Sequence, residues 1–262
     1  MEAALNLRAI RFLVLSLSCP IFFYASFLGN PASPAILEQG FFISDTNWSN
    51  IQFGFVEDAL FQKKFFARQS SKGLGLRKAS IEGMSQAGYV AWGIAERFHV
   101  QCELGSGRFF WRWKQEINTA ISGKVAEGLI WSGDAKLVIF EIKDTLLAVD
   151  VHAGGWDWMR GFAESNGKPL SGCVASEMRY WQVGAALAQK IVQLFVPYFG
   201  VAVNRSRLKM RKLESGIGWL RSSHSVGPFV GCTVTRGTLF FLNLEWRGGF
   251  EQGFSISGQV RF

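Results

Sequence analysis

The chain is poor in charge and has no long apolar run. Charged residues make up only 18% of its 262 residues, against a usual share of about 25%. After residue 30 the longest apolar stretch is 191–203, which Gln193, Pro197 and Gly200 interrupt, so it falls short of the roughly 18 residues of a spanning helix. Its 29 glycines also disfavour long helices, because each costs about 1 kcal/mol inside one. These features exclude a polytopic helical membrane protein, and a mean hydropathy of +0.14 excludes a disordered chain.

Motifs for catalysis and cofactor binding are scarce as well. The sequence has no Gly-x-Ser-x-Gly elbow, no HExxH helix and no complete phosphate-binding glycine loop. Its histidines, His99, His152 and His224, lie far apart, and no Cys/His cluster has the spacing of metal ligands. We therefore expect no cofactor and no metal, and we predict that the protein is not an enzyme.

What the sequence does contain is a period-two alternation of apolar and polar residues, which indicates strands with one buried face. Residues 97–105 place Phe98 and Leu104 on one face and His99 and Glu103 on the other. The same alternation occurs at residues 50–56, 145–153, 180–190, 238–247 and 254–262. Each segment has about ten residues, as a tilted strand crossing a bilayer requires. The pattern predicts an all-β transmembrane antiparallel β-barrel of about 12–14 strands, within a range of about 12–16.

Breaks in the alternation predict the connections between strands. Tight turns are expected at 95–97, 189–190 and 236–237, and longer loops at 164–172 and 205–225. The second loop carries a basic run, interpreted as solvated and close to anionic lipopolysaccharide rather than to nucleic acid: Arg205, Arg207, Lys209, Arg211 and Lys212. The ten tryptophans are expected mostly near strand ends, at the boundary between water and lipid.

The N-terminus has the pattern of a cleaved secretory signal peptide, since Arg8 and Arg11 precede the apolar run 12–24. The predicted organisation is a signal peptide at 1–25, a lead-in segment at 26–46 and an outer-membrane barrel at 47–262. The location that follows is the bacterial outer membrane, with its lipid as a partner.

Removal of the signal peptide leaves three cysteines, Cys102, Cys173 and Cys232. An odd number in an exported chain indicates a free thiol or an intermolecular bridge, and three unpaired thiols protected by the membrane are the alternative. Cys173, beside a predicted loop, is the better candidate for a bridge than Cys102, whose strand position should face lipid.

The last predicted strand ends on an aromatic residue. Phe254, Ile256, Val260 and Phe262 share one face of it. A terminal aromatic after such alternation resembles the recognition signal of bacterial outer-membrane barrels, so these residues are the predicted assembly signal for the barrel-assembly machinery. The strand must also pair with the first one, because an open edge in lipid leaves backbone groups unpaired.

Four short stretches together resemble the chlamydial major outer membrane protein, a porin family. They are residues 29–34 (GNPASP), 97–105, 196–201 and 259–262 (QVRF). The chain resembles a shortened member, and residues 40–48 lack the cysteines that the family usually clusters there. The resemblance implies a β-barrel porin that joins a homo-oligomer or disulfide-linked envelope proteins. Among the three cysteines, only Cys102 lies in a matching stretch.

The predicted function is passive diffusion of small hydrophilic solutes through an outer-membrane porin. If the polar strand faces line the pore, the pore-lining residues are Glu103, Arg108, Arg112, Lys114, Glu141, Lys143, Asp150, His152, Glu245, Arg247 and Arg261. Six of these are bases and four are acids. The surplus predicts a weak anion preference, because such charges are screened over about 8 Å at physiological salt.

Two other functions stay open. One is a structural envelope protein or adhesin with a plugged lumen. The other is a barrel protease or lipase, since Asp150 and His152 lie two residues apart on one strand face, where a carboxylate can orient a general base. Because the sequence has no second acidic pair of the Asp-x-Asp type, an ion pair on the lumen wall is the preferred interpretation.

Overall fold

The computed structural model describes residues 29–32, 49–67, 76–94, 97–115, 120–125, 128–165, 168–191, 194–212, 216–223, 225–236 and 240–261. The predicted signal peptide lies outside these ranges. Within them the chain is almost entirely β-strand, and no helix there is long and apolar enough to cross a membrane.

The described residues form twelve strand segments. In chain order they are β1 (Ser49–Ala67), β2 (Leu76–Ile94), β3 (Phe98–Gln115), β4 (Ala120–Val125), β5 (Gly128–Ile142), β6 (Thr145–Ser165), β7 (Lys168–Gln189), β8 (Phe195–Lys212), β9 (Gly216–Ser222), β10 (Val226–Arg236), β11 (Phe240–Arg247) and β12 (Gln252–Arg261).

All pairings are antiparallel, and the pairing of β12 with β1 closes the sheet into a barrel. Both β4 and β5 lie between β3 and β6, one above the other. In the same way β9 and β10 follow each other along β8. The predicted antiparallel transmembrane barrel is therefore confirmed. The twelve described segments occupy ten positions around the wall, so the barrel has ten strands and the predicted 12–14 was too high.

Several strands are longer than the predicted segments. Each alternating stretch overlaps a strand in its described residues, and β7 reaches 22 residues and β8 reaches 18. The predicted loops 164–172 and 205–225 were wrong, because most of their residues belong to β6 to β9. Strand residues outside the bilayer do not need apolar outward side chains, so their sequence looks like that of a loop.

The polarity of the wall inverts along the barrel axis. We call the end where β1 begins the lower end and the opposite end the upper end. The outer face of β8 carries Phe199, Val201 and Val203 in its lower half, then Arg205 and Arg207 above them. Its inner face carries Ala202, Asn204 and Ser206 in the middle of the strand and Leu208 and Met210 above them. The lower outer face therefore suits lipid and the upper outer face suits water.

In the upper half an apolar cluster fills the lumen. Seven strands contribute to it: Leu60, Phe65, Ala79, Ile81, Phe109, Trp111, Trp156, Met178, Leu208, Met210 and Leu220. We call this set the upper apolar cluster. The rings of Phe109 and Trp156 stack with centroids 3.7 Å apart. Because its members come from β1, β2, β3, β6, β7, β8 and β9, the cluster packs across the cross-section of the barrel.

The tryptophans divide between the two faces. Trp92, Trp131, Trp181 and Trp246 are exposed on the outer face, which a position at the water–lipid boundary requires. Trp111 and Trp156 are each only 2% exposed inside the upper lumen, so the boundary prediction was wrong for these two. The side chains of Trp48, Trp113, Trp158 and Trp219 lie outside the described part of the chain.

The short β11–β12 hairpin changes the number of strands around the barrel. Its turn, residues 248–251, lies halfway up the barrel, and above it β1 pairs directly with β9, Phe65 opposite Ser222. The wall therefore has ten strand positions below the turn and eight above it. Gly249 adopts φ 81° in this turn, a backbone conformation that favours glycine.

Gly54 has no side chain, and the ring of Tyr89 packs over it inside the lumen. A Cβ built there would overlap the ring of Tyr89 on the neighbouring strand and the carbonyl of Gly258. At Gly88, on the outer face of the same hairpin, the nearest atom would be 3.9 Å away.

We expect Gly54→Ala to lower the free energy of unfolding by about 1–3 kcal/mol, because the ring must shift in a packed interior. Gly88→Ala, the matched control, should change it by less than about 0.5 kcal/mol. Urea titration of the barrel in lipid vesicles measures both. Equal effects would show that Tyr89 does not pack over Gly54.

Candidate functional site

The middle of the lumen holds a buried ion network centred on Arg247. This side chain is 0% exposed, and its Nη2 lies 2.6 Å from Asp58 Oδ1. Glu245 and Glu251 lie 3.5 and 3.4 Å from other guanidinium nitrogens, which are ion-pair contacts rather than hydrogen bonds. Lys63 Nζ contacts the second oxygen of Glu251 at 2.8 Å. The last residue of β11 and the adjacent turn are thereby tied to β1.

Hydrogen bonds continue from this network toward the lower end. Tyr198 donates to Glu245 at 3.0 Å, and Asn243 donates to Tyr198 at 3.0 Å. Thr233 donates to Asn243 at 2.9 Å, and Asn30 donates to Thr233 at 3.0 Å. Part of the predicted lead-in segment, residues 29–32, therefore lies inside the barrel.

A second group of acids faces the network from β3, β5 and β6. Glu103 accepts hydrogen bonds from Gln101 and Ser132, both at 2.5 Å. Lys136 pairs with Asp134 at 3.2 Å and lies opposite Asp150 in the strand register. Neither carboxylate oxygen of Asp150 has a hydrogen-bond partner. This part of the lumen therefore has more carboxylates than groups that neutralise them.

The charge balance of the lumen is negative. Among the described residues, the inward acids are Asp58, Glu103, Asp134, Asp150, Glu245 and Glu251, and the inward bases are Lys63, Lys136 and Arg247. Six formal negative charges thus face three positive ones. This balance is the opposite of the positive surplus from which a weak anion preference is predicted.

Five of the predicted pore-lining residues lie in the lumen. They are Glu103, Asp150, His152, Glu245 and Arg247. Asp150 and His152 are each 1% exposed, and His152 Nε2 lies 3.3 Å from the Tyr180 hydroxyl. The pair therefore lies deep in the barrel and not at its rim.

The structure places Arg108 and Arg112 on the outer face instead. Both share the outward side of β3 with Leu104, and Arg112, 68% exposed, pairs with Glu82 at 2.5 Å. The physical reason is the polarity inversion. Strand β3 rises above its apolar band without changing register, so its polar positions there face water outside the barrel.

The remaining predicted pore residues are peripheral or undescribed. Glu141 and Lys143 are exposed at the lower mouth, where Glu141 lies 3.6 Å from Lys190 and Lys143 occupies the β5–β6 turn with φ 51°. The side chains of Lys114 and Arg261 lie outside the described residues.

Sequence reasoning missed five lumen charges: Asp58, Lys63, Asp134, Lys136 and Glu251. The alternation of Asp134 and Lys136 with Leu137 was a usable signal. The position of Lys63 was not predictable from alternation, because a bulge after Leu60 shifts the register of β1.

The predicted cysteine and assembly residues lie on the outer face where they are described. Cys102 is exposed and Cys232 is half-buried, and both are free thiols. The side chain of Cys173 lies outside the described part, so an intermolecular bridge stays a prediction. Phe254, Ile256 and Val260 alternate outward along β12; Phe262 is not among the described residues.

Small cavities lie between described residues of the lumen. One of about 40 Å³ is bordered by Phe109 of the upper apolar cluster, by Asp58 and Lys63 of the ion network, and by Glu103. Another of about 20 Å³ lies beside Asn30. These volumes suit water molecules and not larger solutes. Within the described ranges, no group of three or more possible metal ligands occurs.

Comparison with known proteins gives matches only among solved structures. No protein-family model matches, and no curated protein does. The toluene transporter TbuX of Ralstonia pickettii is 9% identical, with 89% of this chain and 92% of that chain covered and a TM-score of 0.43. The outer membrane protease OmpT of Escherichia coli is 7% identical, with coverages of 81% and 93% and a TM-score of 0.42.

A third example is the beta domain of the Bordetella autotransporter BrkA, 12% identical, with coverages of 82% and 100% and a TM-score of 0.42. At such identities and TM-scores these likenesses carry no argument about function. The resemblance to the chlamydial porin family stays a prediction.

The ion network gives a direct test of what holds the short hairpin in the wall. We expect Arg247→Met to lower the free energy of unfolding by about 3–5 kcal/mol, because three buried carboxylates lose their common partner. Arg112→Met, which breaks an exposed pair, should cost no more than about 1 kcal/mol. Tryptophan fluorescence during urea unfolding in vesicles measures both. Similar losses for the two variants would contradict a structural role for the network.

Proposed function

We propose that the protein is a narrow channel of the bacterial outer membrane that carries small cations and is gated by the upper apolar cluster. The observation that carries this proposal is the excess of three carboxylates in the described lumen. Rings of acidic side chains in a pore favour cations over anions. The proposed channel is therefore narrower than the diffusion porin predicted from the sequence. It prefers cations, whereas the sequence predicted a weak preference for anions.

The width of the barrel supports a small permeant ion. A wall of eight strands leaves an interior that side chains can fill, whereas diffusion pores in porins have sixteen or more. The barrel has eight positions in its upper part and ten in its lower part. Hydrated sugars or nucleotides would not fit beside the side chains already present.

The upper apolar cluster is suited to act as the gate. Apolar constrictions close pores by excluding water. Phe109, Trp111 and Trp156 lie directly above the charged part of the lumen, where Phe109 borders the cavity that also contacts Asp58. Movement of these rings would connect the acids to the upper opening.

The proposed location rests on the outer surface and the predicted signal peptide. The lower outer face exposes valine, leucine, isoleucine, phenylalanine and tryptophan around the barrel, as lipid contact requires. The export signal predicted at 1–25 supports the outer membrane as the destination.

The plugged lumen also supports a second candidate, a structural envelope barrel without transport. The observation that favours it is the upper apolar cluster, which packs across the lumen. We do not propose catalysis by Asp150 and His152, because they are buried deep in the lumen, where a polymeric substrate cannot reach them.

Conductance in planar bilayers tests the channel proposal. We expect the purified protein to give small, infrequent openings, and Phe109→Ala combined with Trp111→Ala to give more frequent or larger ones because the gate loses its rings. Trp92→Ala, on the outer face, is the matched control and should behave like the wild type. Folding of each variant is checked by heat-modifiable migration on gels. If the wild type and the gate variant are both folded and both silent, the structural barrel is the better account.

A further inference from the structure

Three arginines form an unusual group on the outer face of β8 and β9. Arg207 and Arg221 are directly opposite each other in the register of these strands, and both are exposed. Side chains at such positions have Cβ atoms about 4.5–5.5 Å apart, and like charges there destabilise a sheet. Arg205 lies two residues from Arg207 on the same face.

Neighbouring acids neutralise other bases but not these three. On the β6–β7 side, Arg179 pairs with Asp157 and lies 3.5 Å from Glu177. Lys209 lies 3.6 Å from Glu177 as well. Among the described residues, no carboxylate forms an ion pair with Arg205, Arg207 or Arg221. The wall therefore concentrates three guanidinium groups where a bound anion would relieve their repulsion.

The group lies at the upper edge of the apolar outer surface. Directly below Arg205 on the same face of β8 is Val203, which pairs across strands with Val183 and Val226. Trp181, 43% exposed, is opposite Arg205. An anion held by the arginines would thus be joined to a surface suited to acyl chains. That combination fits a lipid and not a free anion in water.

We propose that Arg205, Arg207 and Arg221 bind the phosphate groups of a phosphorylated glycolipid of the lipid A type. Arginine presents a planar fork that matches phosphate oxygens in pairs. The opposed Arg207 and Arg221 hold one phosphate between them, and Arg205 holds a second. Acyl chains then lie along the valines below. This site is on the outside of the barrel, so it does not depend on whether the lumen conducts.

Binding to purified, folded protein in uncharged detergent tests the proposal. The probe is diphosphorylated lipid A, compared with the same lipid after enzymatic removal of its phosphates, and binding is followed by native mass spectrometry. Arg207→Gln combined with Arg221→Gln should weaken binding of lipid A at least about tenfold, since each charge-assisted hydrogen bond is worth roughly a factor of ten or more. Arg112→Gln, an exposed outer-face arginine that has its own acid partner, is the matched control and should bind as the wild type does.

The proposal also predicts how the variant behaves without lipid. Removal of two opposed like charges should leave the urea unfolding midpoint unchanged or raise it, so loss of binding cannot be assigned to loss of fold. Equal binding of the dephosphorylated lipid, equal loss in Arg112→Gln, or equal affinity for phosphatidylglycerol would each overturn the proposal. The last result would indicate a general attraction to anionic lipid.

Discussion

The bilayer imposes the constraint on which the rest of this barrel depends. Where lipid surrounds the wall, outward side chains must be apolar, and polar groups can only face the lumen. Where the wall rises into water, the same strands keep their register but reverse their polarity. Leu104 and Arg112 lie on one face of β3, and Glu103 and Trp111 lie on the other. The inversion places a charged layer in the middle of the lumen and an apolar layer above it.

The charged side chains in the middle of the lumen are buried, so ion pairs rather than water must stabilise them. The β11–β12 hairpin turns within the wall. The last side chain of β11, Arg247, contacts Asp58 of β1 and Glu251 of the turn. Burying one ion without partners is costly, so the network has to form as a unit. Its ion pairs tie the hairpin to β1, and the excess of carboxylates over cations in the lumen underlies the proposed preference for cations.

The barrel itself could be predicted from alternation, because lipid-facing positions such as Phe53, Val90 and Leu104 repeat every second residue. The orientation of side chains in the upper half could not be predicted, because outward arginines and inward aromatics reverse the expected pattern. The sequence therefore predicts the wrong face for Arg108 and Arg112. Bulges made the orientation of other side chains unpredictable, as in β1, where the register shifts between Asp58 and Lys63. The entry of Asn30 into the lumen is a long-range contact with Thr233, for which the local sequence contains no signal.

The central claim is that the carboxylates of the lumen, and not the outward arginines, set the charge preference of the pore. The most direct measurement is the zero-current potential of the gate-opened variant, with Phe109 and Trp111 replaced by alanine, in a planar bilayer separating dilute from concentrated potassium chloride. The account predicts a potential of the sign given by cation permeation, which is reduced by Asp150→Asn with Glu103→Gln and unchanged by Arg108→Ser with Arg112→Ser. A potential of the opposite sign, or one that follows the two arginines, would contradict it.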